Sequence, residues 1–271
     1  MRNLDNAVAV VTGAASGIGR ATALALADKR CVLAIADIDE VGLAETGRQL
    51  AERGTRYTTH VVDVSDKQRM QDFASEVVEA HGRVHVVINN AGVSVGAKLE
   101  DHSLEDFEWI VGINFWGVVY GCKFFLPHLQ QACWGTLVNL SSMFGLTGIP
   151  GQSSYCATKF AVRGFSESLA IELAHENIDV ISVHPGGIRT NIARNSRTSN
   201  VVGHQRVIEW FDRRAMPAEK AASKIVAAIE HRRTRVVITP EAWLTDVIKR
   251  VYPPVPLRLA NWAMRKSGLL H

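Results

Sequence analysis

Short runs of β-branched and aliphatic residues alternate with longer stretches of helical periodicity along the chain. That rhythm predicts parallel strands joined by crossover helices, with strands over residues 7–12, 32–36, 57–62, 84–88, 136–140, 179–183 and 235–238. Several runs are apolar at consecutive positions, Val8-Ala9-Val10-Val11 among them. Strands of that kind are covered on both faces. The expected fold is therefore α/β, a doubly wound, mostly parallel seven-stranded sheet with helices on both sides.

Ser65 with Gln68, and Ser103 with Asp106, have the spacing of a capping box and place two helix starts. The second helix carries Phe107, Ile110, Val111, Phe115, Val118, Val119 and Phe125, an apolar surface wide enough to serve the sheet and a subunit contact together. Between Thr190 and Ala215 the periodicity fails. Ile192, Val201, Val202, Ile208, Trp210 and Phe211 stand there among Arg, Asn, Ser and Thr, and the expectation is a mobile substrate lid over 190–216. Pro217 opens the next helix, with Glu219 in its first turn. Pro253, Pro254 and Pro256 then divide the C-terminal region into two short amphipathic pieces. The predicted organisation is one catalytic domain over 1–240, lid included, followed by an amphipathic tail over 241–271. In that tail Trp243, Leu244, Val247 and Ile248 neighbour Lys249 and Arg250. The pattern is expected to dock on a neighbouring subunit, with a peripheral contact to an anionic membrane as the alternative.

The chain has 271 residues, 47% of them hydrophobic, enough to bury the core of one sizeable domain. Its formal charge of +3 is dispersed, which leaves no basic face for a nucleic-acid backbone. No 18 consecutive apolar residues occur, and the residues before Ala7 hold no signal-like apolar run, so a cytoplasmic protein is expected. Cys31, Cys122, Cys133 and Cys156 lack zinc-site spacing and read as reduced core residues, with no metal.

The first strand runs into Thr12-Gly13-Ala14-Ala15-Ser16-Gly17-Ile18-Gly19 and then a helical pattern. Glycines there allow a tight turn and close approach of backbone N–H groups to a pyrophosphate, although the spacing departs from the usual G-x-G-x-x-G. Asp37 closes the second strand about 20 residues on, where a carboxylate accepts from the adenosine ribose hydroxyls. A turn or N-cap role is the competing reading, and Asp39 is placed to serve it equally well. A carboxylate at that point repels a 2′-phosphate, so NAD is expected over NADP.

Tyr155 and Lys159 stand four apart in a helical stretch and share one face. Ser142 ends the fifth strand thirteen residues earlier, and Asn114 lies on the preceding helix. Asp63 closes the third strand, Asn89-Asn90-Ala91-Gly92 closes the fourth, and Pro185-Gly186 with Thr190 follows the sixth. Together these residues resemble the short-chain dehydrogenase/reductase family, in its TGxxxGxG and YxxxK branch, over nearly the whole chain from Ala7 to about Ile238. The resemblance implies a Rossmann-type fold and a homo-oligomer, tetramer before dimer. It further implies that Asp63 and Val64 flank the adenine, that Asn90, Ala91 and Gly92 floor the cofactor site, and that Ile188 and Thr190 meet the nicotinamide carboxamide.

Oxidising an alcohol requires a base for its hydroxyl proton as hydride leaves the same carbon, and a free phenol near pKa ~10 is a poor one at neutral pH. Lys159 and the positive nicotinamide ring are expected to lower Tyr155 by favouring the phenolate, Ser142 to hold the substrate oxygen, and Asn114 to order a water for proton return. His184 and Ser141 are expected to be structural. The expected function is thus an NAD(H)-dependent alcohol dehydrogenase or ketone reductase acting on a medium-sized hydrophobic substrate. Arg189, Arg194 or Arg197 turned inward would instead suit an anionic one. The competing readings are an NADP(H)-dependent carbonyl reductase and a non-catalytic dinucleotide-sensing protein on the same fold.

Overall fold

The computed structural model describes residues 1–198, 205, 208–209, 213–255, 258–259 and 262. The strands are β1 (Val8–Thr12), β2 (Val32–Asp37), β3 (Tyr57–Val61), β4 (Val86–Asn89), β5 (Val95–Gly96), β6 (Gly135–Leu140), β7 (Ile178–His184), β8 (Arg197–Thr198) and β9 (Arg235–Val237). Seven of them form one sheet in the order β3-β2-β1-β4-β6-β7-β9. Every pairing in it is parallel. The helices are α1 (Gly17–Ala27), α2 (Glu40–Ala51), α3 (Lys67–His81), α4 (Leu104–Val111), α5 (Gly117–Gln131), α6 (Ser153–Glu172), α7 (Ala218–Glu230) and α8 (Pro240–Val251). This is the expected Rossmann-type architecture.

Strand alternation divides the interior in two. Ala9 and Val11 of β1, with Leu33 and Ile35 of β2, join a core closed by Leu26 of α1 and Ile225 of α7. Val10, Ala34 and Ala36 point the other way, onto Phe73 of α3, Phe125 of α5 and Val162 of α6. Phe73 and Phe125 meet edge to face at 5.5 Å. The chain winds outward from β1 through β3 and then restarts at β4 on the other side of β1, so a switch point lies between the carboxyl ends of β1 and β4. Ligands of open parallel sheets bind in that crevice.

Several local details differ from expectation. Helix α3 is capped by Asp66, whose carboxylate accepts from Arg69 N at 3.0 Å. Ser65 instead gives both its backbone N–H and its hydroxyl to Asp63. Ser103 does cap α4, accepting from Asp106 N. All four cysteines are free, but Cys133 is exposed because it sits in the turn after α5 rather than under the sheet. The helical stretch Leu104–Gln131 is long and apolar enough by length and composition to cross a membrane. Here it serves as a core helix, with Ile110, Val118, Phe125 and Leu129 buried. The C-terminal region does not simply trail away: in α8, Ala242 is fully buried and Asp246 takes a two-pronged pair from Arg235 of β9, both bonds 2.9 Å. Pro254 and Val255 resume a helical turn, while Pro256 and residues 263–271 lie outside the described residues.

Candidate active site

The loop after β1 is built so that only glycine fits at its critical points. Gly13 and Gly17 adopt φ of +66° and +55°. A Cβ on Gly19 would stand 2.0 Å from the Gly13 carbonyl oxygen, and one on Gly13 would stand 2.7 Å from Asn90 Nδ2. Asn90 draws the loop against β4, donating from Nδ2 to the carbonyls of Thr12 and Gly13 at 2.9 and 3.1 Å. Thr12 Oγ1 accepts from the backbone of Asn90 and Ala91. Helix α1 then begins at Gly17 with no side-chain cap from Ser16 and no acidic residue in its first turn. Its first N–H groups are left facing the crevice, Ile18 included, as an anion site requires.

Asp37 ends β2 beside this loop, and both its oxygens are fixed. One accepts from Ala15 N at 2.8 Å and the other from Asp39 N at 3.1 Å. Asp39 is the N-cap of α2, and Asp37, by accepting from Asp39 N, also serves the turn that leads into that helix. One basic residue, Arg20, reaches back towards the loop. Its guanidinium is committed to the carbonyls of Ala15 and Gly42 and to Thr46 Oγ1. Thr46 in turn donates to the Ala14 carbonyl, so the loop is stapled to α2. Asp63 lies exposed at the end of β3 with Val64 buried behind it. A Cβ on Gly17 would touch Thr190 Cγ2 at 2.9 Å, which puts Thr190 directly across the loop. These residues fit an extended dinucleotide: a turn too tight for a Cβ, a carboxylate beside it at the end of β2, and Thr190 across the loop.

Ser142, Tyr155 and Lys159 are brought together where β6 ends. Ser142 caps a 3₁₀ turn, Met143–Gly145, by accepting from Phe144 N at 3.1 Å. Its carbonyl is held by His184 Nδ1 at 3.1 Å, and the opposite ring nitrogen meets Ser182 Oγ at 3.0 Å. His184 is therefore a satisfied core histidine, and burial presses its pKa down to about 4. Ser141 gives its hydroxyl to the Lys159 carbonyl at 2.7 Å and is structural as well. Helix α6 presents Tyr155 and Lys159 on one face, with Lys159 Nζ 5.6 Å from the Tyr155 ring centre and donating to the Leu140 carbonyl at 2.9 Å.

Lys159 is 3% exposed, and burial lowers its pKa to about 8. Burial pushes the Tyr155 phenol up to about 12, against a downward pull from Ser142. The protein groups alone thus do not produce the lowering expected of Lys159 together with a nicotinamide ring. Within the protein alone, desolvation of the phenolate outweighs an ammonium that is aimed at the Leu140 carbonyl. Asn114 sits in a π-helical turn, Gly112–Trp116, between α4 and α5. Its amide is spent on the backbone of Val93, at 2.8 and 2.9 Å, and on Thr158 Oγ1. The side chain thus braces the loop after β4 with both its N–H donors committed, which leaves the second lone pair of Oδ1 for the water expected of it. A Cβ on Gly92 would lie 3.2 Å from Asn114 Oδ1 and 3.4 Å from Lys159 Nζ, so these three positions converge.

A family model described as short chain dehydrogenase matches residues 7–201. The chain belongs to the short-chain dehydrogenase/reductase family. It is 43% identical over 255 residues to SadH, a Mycobacterium tuberculosis protein named as an oxidoreductase, covering 93% of this chain and 92% of SadH. It is 35% identical over 196 residues to the 3-ketodihydrosphingosine reductase of Bacteroides thetaiotaomicron, covering 72% of this chain and 69% of that one. A short-chain dehydrogenase/reductase from Burkholderia phymatum in complex with NAD has a similar structure, with TM-score 0.88, 30% identity, and 95% and 97% of the two chains covered.

In this short-chain dehydrogenase/reductase the segment after Pro185 is clamped at its base. Gly187 and Arg189 pair with Met216 across a bridge, so the 190–216 excursion leaves and returns at one point. Ile192 and Ile208 are half-buried; Val201, Val202, Trp210 and Phe211 lie outside the described residues. Two features here were not legible in sequence. Glu241, from the start of α8, accepts from Gly187 N at 3.1 Å and packs with Thr239 on Gly186, so the C-terminal helix steadies the loop that holds Pro185, Gly186 and Ile188. β8 pairs with β5, and Arg197 lies 3.6 Å over the Trp109 ring while bonding Asp106 at 2.6 Å. Arg197 thus ties β8 to α4 and is not turned inward as an anion ligand. Arg197→Ala is expected to raise KM roughly fivefold with kcat little changed, the loss of about 1 kcal/mol for a partly exposed cation–π contact with its ion pair. Steady-state kinetics check this, and an unchanged KM would show that the tie to Trp109 and Asp106 has no bearing on substrate binding.

Proposed function

We propose that the chain is an NAD(H)-dependent dehydrogenase interconverting a secondary alcohol and its ketone, with Tyr155 as the acid/base. The observation that carries this reading is the convergence of Ser142, Tyr155 and Lys159 at the carboxyl end of β6, beside a loop that excludes any Cβ. Ser142 orients the substrate oxygen towards the phenol. Tyr155 donates its proton when a ketone is reduced and accepts one when an alcohol is oxidised. Lys159 stands on the same helix face as the phenol and is held in place by donating to the Leu140 carbonyl. Asn114 acts as a positioning residue through Val93 and Thr158.

The dinucleotide would lie over Gly13, Ser16, Gly17, Ile18 and Gly19, with Asp37 at the ribose. Asp63 and Val64 would border the adenine, Asn90, Ala91 and Gly92 the floor, and Pro185, Gly186, Ile188 and Thr190 the nicotinamide end. When bound, it supplies or accepts the hydride. The NAD preference is supported by the fixed carboxylate of Asp37 and by the commitment of Arg20 to backbone carbonyls. The ketone substrate is supported by a relative named for a 3-keto lipid. The test is absorbance of the reduced nicotinamide with a panel of secondary alcohols and ketones, with NAD and NADP run in parallel. Turnover of no member of the panel overturns the reading.

A homo-oligomer, tetramer before dimer, belongs to the same proposal. Trp116, Tyr120 and Phe124 stack in a ridge along α5 with centroids 5.7 and 6.0 Å apart, and Trp116 remains 46% exposed. An exposed tryptophan at the end of a row of half-buried aromatics suits a self-complementary contact. Light scattering is expected to give a multiple of the single-chain mass, and Trp116→Glu to lower it. A single-chain mass at micromolar concentration overturns this part.

A further inference from the structure

We propose that the outward face of α8, with the segment that follows it, is a docking surface for an anionic lipid bilayer.

Helix α8 is mounted with its polar side inward. Ala242 is fully buried, and the Asp246 carboxylate is gripped by Arg235 of β9 through two bonds of 2.9 Å. On the same side Lys249 is laid over the Phe160 ring at 5.0 Å. These contacts fix the rotation of the helix. They turn Trp243, Leu244, Val247 and Val251, which share the opposite face at helical spacing, away from the core. Trp243 is 59% exposed and Val251 79%. Tyr252 and Leu259, beyond the helix, are exposed as well. Single apolar residues on a surface are ordinary, but a whole helix face turned to the outside marks an interaction surface.

Charge identifies the occupant. From Ala242 onward the sequence holds Lys249, Arg250, Arg258, Arg265 and Lys266 against one acidic residue, Asp246. That carboxylate is already committed, since Arg235 takes both its oxygens and Arg250 bonds one of them at 3.2 Å. Arg250 remains largely exposed even so, and Arg258 is exposed too. The segment therefore presents apolar side chains together with positive charge that its own residues do not neutralise.

A second copy of the chain, docked here about a two-fold axis, would bring the same cations of both copies to one contact with no free carboxylate from this segment to separate them. An anionic bilayer meets both features at once. Its acyl boundary accepts Trp243, Leu244 and Val251, its phosphates accept the arginines, and a tryptophan and a tyrosine suit the layer between. This favours a lipid surface over the subunit contact expected from sequence. At 12 residues α8 is too short to cross a bilayer, so it lies along the surface.

The experiment is flotation of the full chain with vesicles of phosphatidylcholine alone, or with roughly a third of the lipid replaced by phosphatidylglycerol, at rising salt. Partitioning onto the anionic vesicles is expected to exceed that onto the neutral ones at least tenfold and to weaken as salt is raised. Trp243→Glu with Val251→Glu is expected to abolish flotation, with circular dichroism and Tm showing that the fold survives two changes at exposed positions. Arg250→Gln with Arg258→Gln is expected to lower partitioning about 25-fold, at roughly fivefold for each cation near the surface. Absence of flotation with the anionic vesicles overturns the proposal, as does flotation that both paired variants leave unchanged. If Trp243→Glu with Val251→Glu instead lowers the light-scattering mass in lipid-free solution, a second copy covers this face and the bilayer reading falls.

Discussion

Tyr155→Phe is expected to lower kcat by roughly 10²- to 10⁴-fold, the range for losing a general acid/base, while dinucleotide affinity moves by less than about twofold. The ring still packs against Phe144, so only the ionisable oxygen is lost. The direction of the reaction decides how pH enters. With its phenol held up at about 12, Tyr155 is protonated throughout the neutral range and ready to donate to a ketone. Alcohol oxidation needs the phenolate, so its kcat/KM is expected to climb about tenfold per pH unit below the apparent pKa of the site. A cationic nicotinamide ring beside the phenol would bring that pKa down, as an adjacent positive charge must. Lys159 enters the same profile, since its ammonium is lost as pH rises through about 8. Ser142→Ala removes the group that draws the phenol downward, and is expected to displace the oxidative limb to higher pH. Stopped-flow and steady-state assays of both directions across pH check these signs. Residual Tyr155→Phe activity within tenfold of wild type would take Tyr155 out of its role.

Much of the fold and of the candidate site can be read from local pattern because the pattern has a single physical cause. Consecutive apolar runs such as Val8 to Val11 occur where helices cover both faces of a strand, and they recur as the two cores divided by β1. The glycines at 13, 17 and 19 are legible because backbone geometry admits nothing else there. What stayed hidden depends on contacts between distant segments. Glu241 reads as the first turn of a tail helix, and only the packing of α8 brings it to Gly187. Arg197 looks like a loop arginine until the short β5 and β8 strands set it over Trp109. Strands of two residues carry no periodicity to detect. The upward push on the Tyr155 phenol is hidden for a related reason. A spacing of four residues gives the shared face, but not the depth of burial or the carbonyl that claims the lysine.

Asp37 is the position at which cofactor choice and loop geometry are joined, and that makes its two substitutions separable. Its Oδ2 accepts from Ala15 N in the turn that would hold the pyrophosphate, while the same carboxylate would meet the ribose. Asp37→Ala removes both functions. It leaves the Ala15 N–H without its acceptor, so NAD affinity is expected to fall and the loop to loosen, with Tm lowered by the loss of a charge-assisted hydrogen bond of about 1.5–3 kcal/mol at most. Asp37→Asn keeps an oxygen for Ala15 N but removes the charge, and is expected to gain NADP use with a smaller loss of NAD. Two unit charges about 4 Å apart repel by ~4 kcal/mol at an effective dielectric near 20, and partial exposure of the site trims that. The NAD-over-NADP ratio in kcat/KM is therefore expected to shrink by at least tenfold and by up to about 10³ in Asp37→Asn. Arg20 sharpens the outcome. Its guanidinium is tied to Ala15, Gly42 and Thr46, so it is not free to move onto a 2′-phosphate without unstapling α2 from the loop. Relief of repulsion, rather than a new attraction, is thus the source of any NADP gain. Parallel kinetics with the two dinucleotides decide the matter: a wild-type enzyme that uses NADP as well as NAD, or an Asp37→Asn variant with an unchanged ratio, would show that Asp37 serves the loop alone.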